Sequence, residues 1–102
     1  MNTVDISAAR RFSLEEVQRR GLVERADVTV ELLCFEAGQA LVAQSYPGTV
    51  VYQVLEGEAL MRGAGDRARL GKGKLTTLTA GEEHVIENAG GGLLVVLATA
   101  VR

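Results

Sequence analysis

From Val28 to the end of the chain, short β-branched and aliphatic runs alternate with glycine-containing turns at close, regular intervals. This punctuation leaves no helix-length periodic segment between strands and excludes a doubly wound α/β arrangement. The runs are "VTVELLCF" (28–35), "ALVAQSY" (40–46), "VVYQVLEG" (50–57), "EALMRG" (58–63), "RARL" (67–70), "LTTLTAG" (75–81), "HVIEN" (84–88) and "LLVVLATAV" (93–101). Turns are expected at 36–39, 47–49, 63–66 and 71–74, with hairpin tips at Gly57 and at Gly90–Gly92. Roughly eight short strands so spaced predict an all-β sandwich or barrel. The turn Gly71-x-Gly73-Lys74 lacks both the spacing and the following helix of a phosphate-binding loop.

The first 27 residues have a different texture. "SLEE" at Ser13–Glu16 has the form of a capping box and predicts a short helix, with Leu14 and Val17 on one face and Gly21 ending it. The expected organisation is an N-terminal segment, 1–27, carrying this helix, followed by a barrel domain, 28–102. A chain of 102 residues suffices for one hydrophobic core.

Composition narrows the partners. Apolar residues make up 47% and charged residues 24%, with a net charge of -2. Arg10, Arg11, Arg19, Arg20 and Arg25 cluster early, but Glu15, Glu16, Glu24 and Asp27 lie among them. A solvated face is expected there, not a nucleic-acid surface. No apolar run approaches the ~20 residues of a membrane span, and no leader-like segment opens the chain. Cys34 is the only cysteine, so no intrachain disulfide can form. It is expected as a buried, inert thiol, and the chain as cytoplasmic.

Two spacings then stand out. Gly38, five residues, Gln44, Ser45, Tyr46, three residues, Val50, six residues and Gly57 make the first. Gly73, five residues, Thr79, one residue, Gly81, two residues, His84, three residues and Asn88 make the second. Together they resemble the paired motifs of the cupin family over about residues 28–102. The resemblance implies a jelly-roll barrel of two antiparallel sheets with a pocket at one end, often in a dimer. Metal-binding cupins draw two histidines and a glutamate from the first motif and a histidine from the second. Those positions are held here by Gln44, Tyr46, Val50 and His84. Valine cannot coordinate, and a neutral glutamine is a weak donor. A phenol must first lose a proton of pKa about 10. The resemblance therefore implies a dismantled metal site and no metal cofactor.

With Gln44 and Tyr46 inward, as the resemblance implies, strand alternation puts Val50, Tyr52 and Val54 on the same face and, on the second motif, His84, Ile86 and Asn88. The expected pocket is lined by Gln44, Tyr46, Val50, Tyr52, His84 and Asn88, with no inward Lys or Arg. Such a mixed lining suits a small organic ligand. His84 reads either as a neutral imidazole bonded to a tyrosine or glutamine, or as a general acid or base. Arg62, Arg67 and Arg69 read as an outward, edge-protecting face. Two functions follow as expectations. One is a metal-free small-molecule-binding, sensing or structural module, expected as a homodimer. The alternative is an enzyme: a metal-independent isomerase or lyase using His84 and Tyr46, or a metal-dependent dioxygenase with an atypical site.

Overall fold

In the computed structural model, which describes residues 1–102, nine strands form two antiparallel sheets. They are β1 (Gln18–Glu24), β2 (Val28–Phe35), β3 (Ala40–Gln44), β4 (Val50–Glu56), β5 (Glu58–Gly63), β6 (Asp66–Gly71), β7 (Leu75–Leu78), β8 (His84–Asn88) and β9 (Leu94–Val101). One sheet has the order β1-β2-β9-β4-β7, the other β3-β8-β5-β6. The chain changes sheet at every connection except two, the β1–β2 and β5–β6 hairpins. That alternation winds the two sheets into a jelly roll.

Two expected hairpin tips are corrected by this topology. Gly57 joins β4 of one sheet to β5 of the other, and Gly90–Gly92 joins β8 to β9 in the same manner. A β-rich run, a glycine and another β-rich run look alike in sequence whether the second strand pairs with the first or crosses over. At Gly57 the crossing needs glycine twice over. Its φ is +85°, and a Cβ there would run into the carbonyl oxygen of Leu93 on the other crossing.

The predicted N-terminal helix is also corrected. Ser13 Oγ does accept a bond from the Glu15 amide at 3.1 Å, but Leu14–Glu16 form a bend and residues 18–24 are strand β1. The only helical turn is a 3₁₀ segment at Ser7–Ala9. A helix ending at Gly21 would be too short to hold by itself, whereas the extended form pairs Gln18 to Glu24 with Cys34 to Thr29 of β2. Cross-strand pairing outweighs the local cap.

Alternation sorts the strands into two cores. Leu33, Phe35, Val50, Tyr52, Val54, Ile86, Leu94, Val96 and Ala98 fill the barrel. Leu32, Cys34 and Val95 face outward from the five-stranded sheet and are covered by Ile6, Ala9 and Phe12 of the N-terminal segment. The long apolar run of β9 is thereby explained inside one chain: it is a central strand with one face in the barrel and part of the other under this strap. Cys34 is free and 2% exposed, and burial pushes its thiol pKa up. Arg62 and Arg69 point outward and pair with Glu87 and Glu58, contacts of small energetic consequence.

One irregularity sets the site. In β3, Leu41 lies opposite Ile86 but Gln44, not Ala43, lies opposite His84. The extra residue is a β-bulge with Ala43 at φ 54°, the only non-glycine residue of positive φ. Without it, period-two alternation from inward Leu41 would send Gln44 to the outside. The left-handed conformation costs an alanine about 1–2 kcal/mol relative to glycine. Ala43→Gly is therefore expected to raise stability by about 0.5–1 kcal/mol, after allowance for the looser unfolded chain. Urea unfolding would show a later midpoint at unchanged slope, and Ala43→Val should move the midpoint the other way. An earlier midpoint for Ala43→Gly would mean that the bulge carries no such strain.

Candidate functional site at the barrel mouth

At one end of the barrel, β4 supplies Tyr52 and β8 supplies His84, both facing inward and 1% and 2% exposed. Their polar atoms meet: Tyr52 Oη lies 2.8 Å from His84 Nε2. The other ring nitrogen, Nδ1, lies 2.9 Å from the backbone carbonyl of Glu82. A carbonyl can only accept, so Nδ1 donates, and in the neutral ring Nε2 accepts the Tyr52 hydroxyl proton. Burial, with the nearby Tyr46, drives the Tyr52 pKa well above the ordinary phenol range and keeps that hydroxyl a donor.

Tyr46 closes this pair from outside. Its ring stacks on His84 with centroids 6.3 Å apart and planes at 20°, and meets Tyr52 edge-on at 6.4 Å and 68°. Tyr52 and His84 are themselves edge to face at 5.4 Å. Aromatic contacts of this kind are worth about 0.5–1.5 kcal/mol each beyond area burial.

Above the aromatic group sits a cation that the sequence reading placed on a solvated face. Arg19 of β1 lies opposite inward Leu33. Its guanidinium donates to Gln44 Oε1 at 3.0 Å and to Tyr46 Oη at 3.4 Å. The same group is held bidentately by Glu31 of β2, at 3.1 and 2.8 Å, which strengthens its hold on its proton. The expectation of a mouth without Lys or Arg is thus corrected. Arg19 was hidden by the helix assignment of residues 14–21. Glu31 was legible: in "VTVELLCF" it shares a face with Leu33 and Phe35, and a carboxylate on a core face calls for a partner.

The six expected pocket residues do not all come together. Gln44, Tyr46, Tyr52 and His84 do. Val50 is buried on the inner wall of β4 and contributes only hydrocarbon. Asn88 lies at the far end of β8, about 13 Å from His84 by strand rise. Its amide donates to the carbonyls of Phe35, Glu36 and Gly92, and its Oδ1 accepts from the Gly90 amide. Asn88 ties the β2–β3 and β8–β9 crossings together. The surface concavities leave Tyr46, Val50, Tyr52 and Asn88 unlined, with Gln44 on one and His84 on another. The mouth is filled by its own side chains.

The donor set does not fit the metal that the resemblance brings to mind. Val50 has no donor atom, and both nitrogens of His84 are engaged inside the protein. The remaining two positions, Gln44 and Tyr46, already face the Arg19 cation at 3.0 and 3.4 Å, which would repel a metal ion. Nowhere do three or more His, Cys, Asp or Glu side chains group to hold one.

Among solved structures, a protein from Thermus thermophilus is 25% identical, with a TM-score of 0.90 over 100% of this chain and 99% of its own. A cupin superfamily protein from Desulfitobacterium hafniense is 20% identical, with a TM-score of 0.85 over 98% and 90%. An RmlC-like cupin protein from Desulfovibrio desulfuricans is 23% identical, with a TM-score of 0.87 over 99% and 96%. No protein-family model matches the chain, and no curated protein matches it. The chain is a small cupin-fold protein, a double-stranded β-helix. No helix is long and apolar enough to cross a membrane.

The raised pKa of Tyr52 makes an alkaline prediction. Tyr46→Phe leaves Tyr52 as the only tyrosine. The folded chain keeps the Tyr52 proton through the range near 10 where an unfolded phenol loses it. Stability is therefore intact below that range and falls as pH rises through it. In Tyr46→Phe the phenolate absorbance at 295 nm is expected to emerge together with loss of the circular dichroism signal. A phenolate step near pH 10 in a chain still folded would contradict the buried Tyr52–His84 bond.

Proposed function

We propose that this chain is a metal-free cupin-fold module that holds a small organic molecule at the barrel mouth. The observation that carries the reading is the engagement of both His84 ring nitrogens, by the Tyr52 hydroxyl and the Glu82 carbonyl. An imidazole so fixed has no ring nitrogen left to serve as a metal ligand and can offer a ligand only its ring face. Arg19, Gln44 and Tyr46 add a cation, an amide and a phenol around it, a small number of placed polar groups over an apolar floor. The proposal includes a homodimer.

One observation favours a second reading. The 2.8 Å separation of Tyr52 and His84 is a proton-transfer distance, so a metal-independent isomerase or lyase would use His84 with Tyr52, where the sequence pointed to Tyr46. A dioxygenase draws no comparable support from the donors at Gln44, Tyr46 and Val50.

Elemental analysis of untagged protein purified without chelator tests the proposal. Metal is expected well below one per chain, including after separate incubation with iron, manganese, nickel, copper and zinc. Near-stoichiometric metal that disappears in His84→Ala would overturn it.

A further inference from the structure

Tyr46 and Tyr52 share one cluster but are held very differently. Tyr52 is 1% exposed and makes a 2.8 Å bond. Tyr46 is half-buried between exposed Ser45 and Pro47, and its hydroxyl reaches Arg19 only at 3.4 Å. Its backbone is pinned, since the Gly81 amide donates to the Tyr46 carbonyl at 2.8 Å. The side chain is held by its packing on the core, His84 and Tyr52 and by that one long bond, and a χ1 rotation is the motion that would release the ring to solvent.

The space the ring would leave has a defined chemistry. Its floor is His84, one wall is Tyr52, and the Arg19 guanidinium stands 3.4 Å from where the hydroxyl was. Gln44 lies beside that cation. Such a site fits a planar six-membered ring bearing a hydroxyl. A carboxylate would have to compete with Glu31, which already takes Arg19 bidentately. A cationic ligand would be repelled by Arg19, and a sugar would bring several hydroxyls to a floor whose imidazole nitrogens are both already bonded.

We propose that Tyr46 is an internal stand-in for the ligand: in the free protein it occupies the site of a phenol-like molecule, which enters by displacing the Tyr46 side chain. This rests on the reading of the mouth as a small-molecule site. The apparent affinity of the wild-type chain is then its intrinsic affinity reduced by the fraction of molecules with Tyr46 swung out. Removing the Tyr46 ring removes that reduction.

The test is a titration with p-cresol, and with toluene as the ring lacking the hydroxyl, read by NMR on the ring protons of the single histidine. Wild-type protein should show a saturable shift with p-cresol. Tyr46→Ala should bind roughly tenfold or more tightly than wild type, and toluene should bind both more weakly than p-cresol. Tyr46→Leu serves the same purpose if the alanine variant does not fold. Binding by the variants alone would overturn the proposal, because the site would then be a hole made by truncation. Equal affinity of wild type and variant would overturn Tyr46 as the competitor, and equal binding of toluene would overturn recognition by Arg19. Silence toward p-cresol in a protein that also binds no metal would remove this inference and leave the metal-free module standing. Stoichiometric metal on His84 would remove that module reading.

Discussion

The hydrogen-bond chain from the Tyr52 hydroxyl through His84 to the Glu82 carbonyl is the contact on which the rest of the mouth depends. It lets two large polar side chains lie almost fully buried between the sheets, where an unmade bond would cost about 1–3 kcal/mol. It fixes the imidazole plane, and Tyr46 can stack only because that plane is fixed. Tyr46 in turn gives Arg19 one of its acceptors. The chain of dependence runs from core to surface. It also bears on function, because the same bonds that satisfy His84 leave it no lone pair to offer a metal.

Around that contact, the backbone does two jobs that side-chain chemistry alone could not. The Ala43 bulge shifts β3 by one residue and brings Gln44 and Tyr46 to the inside. The edge strand β1 adds the Arg19 cation to a mouth otherwise lined by neutral groups and the Glu31 carboxylate. At the opposite end Asn88 binds three carbonyls and an amide from two crossings. One end of β8 therefore carries the aromatic cluster and the other is scaffold, and the two residues that looked like partners in a motif serve separate ends.

The strands were legible from Val28 onward because period-two apolar patterns and turn glycines act locally. "VTVELLCF", "EALMRG" and "HVIEN" match β2, β5 and β8 residue for residue. The inward set Val50, Tyr52, Val54, His84 and Ile86 followed from alternation once the motif positions Gln44 and Tyr46 were set inward. What failed was non-local. Whether Gly57 turns a hairpin or a crossing depends on which sheet the next strand joins. The helix signal at Ser13–Glu16 was a true local preference that pairing with β2 overrode, and with it Arg19 was lost from the site. The motif spacing that linked Asn88 to His84 says nothing of what each side chain touches.

The central claim is that His84 is held in a single tautomer by two protein partners. A long-range ¹H–¹⁵N correlation spectrum of the labelled protein at neutral pH reads this directly, and with one histidine in the chain no assignment is needed. A pyrrole-type Nδ1 and a pyridine-type Nε2 are expected. An Nε2-protonated ring, or the averaged signals of an imidazole exchanging freely with water, would contradict it.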